Sequence, residues 1–153
     1  MKKKNIILIS SSGGHYEQLL KLKELENDYN LIWCTERTRY KVKSDHKFPS
    51  IKLKSIFFPF KLLGAFLKSM YLIIKYKPMA IVSTGALVAI PISMTAKLFR
   101  KKVVFIETFA RVKEGTRTGK FMYKRADLFI VQWENLKEIY PDAIYGGSLY
   151  WFL

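Results

Sequence analysis

Apolar residues along this chain fall into short blocks rich in β-branched side chains, separated by polar turns and by longer stretches with helical spacing. Ile6, Ile7, Leu8 and Ile9 form the first block, which reads as a strand buried on both faces. Ser10 to Gly14 break it. Gln18, Leu19, Leu20, Leu22 and Leu25 then recur at helical intervals over residues 16–25, with Lys21, Lys23, Glu24 and Glu26 on the other side. Residues 29–35 predict a second strand and residues 36–50 a polar, basic loop that holds His46 as an ordinary loop histidine. A short third strand is expected over residues 51–53. Residues 80–83, 102–107 and 128–132 repeat the strand pattern, with helices expected over 88–99, 120–125 and 133–140. Strand, small-residue turn and helix in alternation predict an α/β fold, an open, doubly wound and mostly parallel sheet.

Residues 56–76 depart from this rhythm. Pro59 suits the first turn of a helix, and apolar residues then run almost unbroken. Lys54, Lys61, Lys68 and Lys75 fall every seven positions and so share one helix face. A spanning helix needs about 20 mostly apolar residues, and these lysines interrupt the run too often. An apolar cylinder with a lysine stripe describes a helix lying in the membrane interface, its lysines reaching to headgroups. The alternative is a helix buried against the sheet with a solvated lysine edge; the apolar face is wider than core helices show, which favours the membrane. The expected contact set over about 57–76 is Phe57, Phe58, Lys61, Leu62, Phe66, Lys68, Ile73 and Lys75.

Composition narrows the partners. A chain of 153 residues makes a single domain, 1–153, with a substantial core. Twenty-seven Lys and Arg against 12 Asp and Glu give a net charge of +15, which points to an acidic partner surface. The aromatics cluster in the apolar segments rather than among the lysines, which favours anionic lipid over nucleic acid. The lone Cys34 permits no internal disulfide and suits a reducing compartment. The lysines of the N-terminus precede too short an apolar run for a signal peptide. No HExxH, CxxC or His/Cys cluster suggests a metal, and no GxSxG suggests a nucleophilic triad.

Three turns should open on one sheet edge, after the first, fourth and fifth strands expected: residues 10–15, 83–86 and 107–111. The first carries Gly13, Gly14 and His15, a turn that is neither GxGxxG nor a P-loop. Its glycines allow a ligand close to the backbone, and His15 brings an imidazole, a side chain that can take up or give a proton. The alternative is an ordinary strand-to-helix turn with a capping histidine.

SSGGH at residues 11–15, STGALVAIP at 83–91 and FIETFARVKEGTRTGKFMYKRADLFIVQWENLKEIYP at 105–141 closely resemble the membrane-anchoring subunit of two-part glycosyltransferases. The eukaryotic version of that family helps to make the second N-acetylglucosamine of the dolichol oligosaccharide; bacterial versions act in capsule and exopolysaccharide synthesis. The two halves together resemble MurG, a single chain with the GT-B fold. The resemblance therefore implies a Rossmann-like domain equivalent to the N-terminal, acceptor-side half of a GT-B enzyme. It implies a separate partner subunit holding the nucleotide-sugar, a polyprenyl-linked saccharide as acceptor, and no cofactor or metal. Its location would be the cytoplasmic face of the cell membrane, and the absence of an N-terminal spanning helix makes a bacterial source the expectation. Within that scheme His15 or Glu107 would serve as the base. Ser12, Gly13, Gly14, Thr84, Gly85, Arg111 and Lys113 would bind substrate, the glycine N–H groups and the cations on its phosphates. The competing reading is a scaffold that recruits the catalytic partner to the membrane and contributes no chemical group.

Overall fold

In the computed structural model, which describes residues 3–38 and 42–150, seven strands form one parallel sheet in the order β3-β2-β1-β4-β5-β6-β7. The strands are β1 (Lys4–Ser10), β2 (Tyr29–Glu36), β3 (His46–Phe48), β4 (Ala80–Ser83), β5 (Lys102–Ile106), β6 (Leu128–Val131) and β7 (Ile144–Tyr145). The helices are α1 (Gly14–Leu20), α2 (Phe58–Tyr76), α3 (Ala89–Leu98) and α4 (Arg117–Tyr123), with 3-10 segments at Lys23–Asn27 and Glu134–Glu138. β1 lies centrally because its apolar run can be covered on both faces: Ile6 to Ile9 are all buried.

Alternation within the strands divides the core in two. Ile7, Ile9, Cys34, Ile81, Val103, Phe105 and Val131 pack against α2, α3 and α4. Ile6, Leu8, Val82 and Ile106 pack with Leu19 and Leu22 beneath α1. Cys34 lies deep in the larger cluster, where burial pushes its thiol up to about 12. The chain runs outward from β1 to β3, then returns across the sheet so that β4 pairs with β1. The gap between β1 and β4 is thus the topological switch point, the place where such sheets accept ligands.

Three expectations change. The helix expected over 16–25 ends as α1 and gives way to the 3-10 turn Lys23–Asn27. The third strand lies at His46–Phe48, inside the expected loop, where Phe48 is buried and His46 bonds the Tyr76 hydroxyl at 2.8 Å. Ile51 is buried as well, but from a segment that makes no strand. The two-residue β7 extends the sheet past β6, beyond the elements expected from the apolar pattern.

Candidate functional site

His15 follows β1 and Thr84 follows β4, so the two face each other across the switch point. Their backbones and side chains interlock. The His15 Nδ1 lies 2.8 Å from the Thr84 carbonyl oxygen, and the Thr84 hydroxyl donates back to the His15 carbonyl at 2.6 Å. A carbonyl only accepts, so Nδ1 carries a proton, and in the neutral ring Nε2 is the nitrogen with the lone pair. Gly85 makes room for this arrangement. Its φ is +123°, and a Cβ there would stand 2.8 Å from Cε1 and Nδ1 of the imidazole. The Gly85 N–H donates to Ser83 Oγ at 3.1 Å, so Gly85 seats the ring rather than offering its N–H to a phosphate.

A hollow of about 330 Å³ opens beside His15, lined by Gly14, Gln18, Thr108, Phe109, Ala110 and Tyr150 as well. Gly13 and Gly14 are exposed at its edge, at the start of a helix only seven residues long. Ser12 donates to Thr38 Oγ1 at 2.8 Å, which ties the turn to the end of β2. Glu36, the last residue of β2, lies near enough to His15 for their charges to interact. Burial raises its carboxyl above the usual range, while a bond from Ser50 and the charges of His15 and Lys52 pull it back.

Glu107 stands at the neighbouring strand end but is enclosed, with 0% exposure. Thr108 N–H donates to Oε1 at 3.0 Å, Thr116 N–H to Oε2 at 3.1 Å, and the Tyr140 hydroxyl to Oε2 at 3.0 Å. The Thr116 hydroxyl donates at 2.9 Å to Oε1. That hydroxyl also accepts from Gly119 N–H at 2.8 Å and so caps α4. Gly119 is obligatory here, since a Cβ would overlap the carboxylate. The hydroxyl of Tyr140 is pushed well above the usual phenol range by burial and by the Glu107 charge beside it. Glu107 therefore closes the loop 108–116 on itself and does not reach the hollow, which removes the geometric ground for expecting it as a base. Arg111 and Lys113 ride on that loop, exposed.

A second polar network joins the walls. Gln132 Nε2 donates to Gln18 Oε1 at 2.6 Å and to the Glu107 carbonyl at 3.0 Å, and Leu149 N–H donates to Gln132 Oε1 at 3.0 Å. Gln18 in turn accepts from Phe109 N–H at 2.9 Å. In the sequence Gln18 is only one position of a helical stripe, and Gln132, Thr116, Tyr140 and Glu36 carry no motif.

The helix α2 shows which of its residues are outward. Ala65, Ser69, Leu72 and Ile73 are buried, and Phe58 and Leu62 pack partly against the core. Ile73, expected at a membrane, is 1% exposed, because Ala65, Ser69 and Leu72 turn that side toward the sheet. The outward face is Phe57, Phe60, Leu63, Leu67, Met70, Tyr71 and Ile74, each 40% or more exposed. Lys61, Lys68 and Lys75 run along its flank, Lys68 over the Phe48 ring and Lys75 over Tyr71 and Tyr76. Among the described residues no helix is long and apolar enough to cross a membrane. The C-terminal run Tyr150–Leu153 is dense in large apolar side chains, a sequence pattern that suggests docking to a partner; of it only Tyr150 lies among the described residues, where it meets Phe109 edge-on.

The profile of a family described as "Oligosaccharide biosynthesis protein Alg14 like" matches residues 35–149. The human UDP-N-acetylglucosamine transferase subunit ALG14 is 28% identical, the match covering 95% of this chain and 82% of that protein. The UDP-N-acetylglucosamine--N-acetylmuramyl-(pentapeptide) pyrophosphoryl-undecaprenol N-acetylglucosamine transferase of Borreliella burgdorferi is 27% identical, over 97% of this chain but 46% of that protein. Among solved structures, Acinetobacter baumannii MurG superposes with a TM-score of 0.69 at 19% identity, over 86% of this chain and 42% of the other. UDP-N-acetylglucosamine 2-epimerase of Rickettsia bellii gives 0.77 at 13% identity, over 97% of this chain and 46% of the other. These likenesses show the fold, and the chain spans less than half the length of either solved structure.

Proposed function

Since the chain belongs to the Alg14-like family of oligosaccharide biosynthesis proteins, we propose that it is the acceptor-side, membrane-docked half of a two-part glycosyltransferase. In this reading a partner chain holds a nucleotide-sugar such as UDP-N-acetylglucosamine. The present chain binds a polyprenyl-diphosphate-linked saccharide at the switch point, for the synthesis of a capsular or other exported polysaccharide. The observation that carries it is the imidazole of His15: its Nδ1 is committed to Thr84, so Nε2 is left as an acceptor beside the hollow. In the reaction Nε2 takes the proton of the acceptor hydroxyl as that oxygen attacks the anomeric carbon, and the nucleoside diphosphate leaves on the partner's side. Arg111 and Lys113, exposed on the adjoining loop, and the N–H groups of Gly13 and Gly14 would meet the acceptor diphosphate. Glu107 acts as a positioning residue that fixes this loop.

The exposed apolar face of α2 supports the membrane part of the reading. Seven large apolar side chains, with lysines along the flank, suit burial among acyl chains with the ammonium groups at the headgroups. The cytoplasmic leaflet of a cell membrane, where anionic lipids attract basic surfaces, fits the net charge of +15.

The test is transfer to the native lipid-linked acceptor by the reconstituted pair. His15→Ala should lower turnover by about 10²–10⁴-fold, while co-purification with the partner and vesicle binding stay at wild-type levels. Serine at Phe60, Leu63, Leu67 and Ile74 should instead release the chain from vesicles with its fold intact. Near-normal turnover by His15→Ala would leave the chain as a recruiting scaffold without a chemical group.

A further inference from the structure

The opposite edge of the sheet, at the strand N-termini, holds a larger hollow of about 580 Å³. Lys3, Lys4, Lys75, Lys77 and Lys101 line it together with Met79, and no carboxylate is among its lining residues. The ion pairs among the described residues, Lys97–Asp127 and Lys102–Asp127, involve none of these five lysines. Asn5 closes the back wall and is already satisfied, donating to the Tyr76 carbonyl and accepting from Asn30 at 2.7 Å. Lys3 Nζ donates to the Glu26 carbonyl at 2.6 Å and Lys75 lies over the Tyr71 and Tyr76 rings, neutral partners that leave the hollow strongly positive.

Its position says which anion. As the connection between β3 and β4, α2 runs antiparallel to the strands, from the His15 edge to this one. At 19 residues it is about 28 Å long. A helix lying flat in an interface keeps both its ends at the same depth, so the headgroup layer met at its first turn is met again at its last. The lining is apolar as well as basic: Met79, 39% exposed, and Pro78 stand among the lysines. A cytosolic anion needs no such apolar lining; a phospholipid offers a phosphate to the lysines and its chains to Met79 and Pro78.

We propose that this lysine-lined hollow seats the phosphate of an anionic phospholipid headgroup, a second membrane contact about one helix length from the reaction edge. It rests on the interfacial reading of α2 and adds a site to it: the outer face supplies insertion, the hollow supplies headgroup selection and fixes the rotation of the domain on the membrane.

The test compares binding of the full chain to phosphatidylcholine vesicles with and without phosphatidic acid. Lys4→Gln with Lys101→Gln should weaken binding to the anionic vesicles about thirtyfold, since each lysine near such a surface contributes roughly a factor of five. Binding to the neutral vesicles should be unchanged. Lys124→Gln with Lys137→Gln, exposed residues outside the hollow, makes the same change in net charge and should cost less than about threefold. Inorganic phosphate at constant ionic strength should not displace the wild-type chain. Equal losses for the two pairs would reduce the hollow to net charge, and displacement by inorganic phosphate would make it a site for the free ion; either overturns the proposal. Failure of the α2 reading is separate, because the serine variants of its outer face would then still bind neutral vesicles.

Discussion

His15 follows β1 and Glu107 follows β5, the strands on either side of β4, and on sequence both are candidates for a proton acceptor. The structure makes them opposites. After β1 a short turn leads straight into α1, which leaves the imidazole at the edge of a hollow with one nitrogen bonded and one available. After β5 a long loop folds back, and Thr108, Thr116 and Tyr140 surround the carboxylate until nothing of it is exposed. The connection leaving the strand, more than the residue at its tip, decides whether a polar group does chemistry or holds the scaffold. A free acceptor beside an open space can take a proton from a substrate; a carboxylate surrounded by donors can only hold them in place.

The sharpest way to break this contrast is to remove each side chain and measure stability and turnover together. Glu107→Ala leaves the Tyr140 hydroxyl and the donors of Thr108 and Thr116 without their acceptor in a buried space. A loss of about 3–5 kcal/mol in unfolding free energy is expected, read from urea denaturation. His15→Ala gives up one half-buried hydrogen bond and should cost about 1 kcal/mol or less, with its loss confined to transfer. Equal destabilisation by the two would dissolve the distinction.

A smaller effect is expected from Gly85→Ala, which leaves His15 in place but disturbs its seat. The new Cβ would stand 2.8 Å from the imidazole, at a φ of +123° that side chains rarely adopt. The ring must then leave the Thr84 carbonyl, and Nδ1 loses the partner that fixes its tautomer. Stability should fall by about 1–3 kcal/mol from backbone strain, and turnover should drop by a further margin that His15→Ala abolishes: in the double variant Gly85→Ala should cost no additional rate. Additive losses in rate would mean that Gly85 acts on the site by some other route.

The sequence showed the central strands because parallel strands buried on both faces read as continuous apolar runs, as in Ile6 to Ile9 and Ala80 to Val82. It missed β3 and β7 because short edge strands bury little: Phe48 is the one fully buried side chain of β3, and both residues of β7 are exposed. The enclosure of Glu107 was illegible because its partners lie 9 and 33 residues away and are a threonine and a tyrosine, types with no signature of their own. For α2 the lysine period located the flanks, but residues apolar on both sides could not tell Ile73 from Ile74. The small residues Ala65 and Ser69, one turn apart, were the available signal, since small side chains mark where a helix is packed closely.

The smallest expected effect concerns Glu36, which lies between the two extremes. It is half-buried at the end of β2, with Ser50 bonding its carboxyl and His15 and Lys52 within electrostatic range, yet burial wins and the carboxyl is raised. A group whose folded-state pKa exceeds its unfolded value adds stability below the unfolded pKa, about 4.3 for glutamate, and that contribution fades as pH rises through the folded value. Once that carboxyl is ionised, its charge is held in a half-buried place within electrostatic range of His15 and costs stability. Glu36→Gln keeps the shape and the Ser50 contact without the charge. It should raise the thermal midpoint slightly at pH 7 and leave it unchanged at pH 4, flattening the profile between. Its effect on turnover distinguishes open from enclosed once more. If His15 takes the acceptor's proton as proposed, a carboxylate within electrostatic range stabilises the imidazolium that results, so turnover should fall severalfold although stability rises. A variant that gains stability and keeps full turnover would assign Glu36 to the scaffold, with Glu107, and leave His15 to work alone.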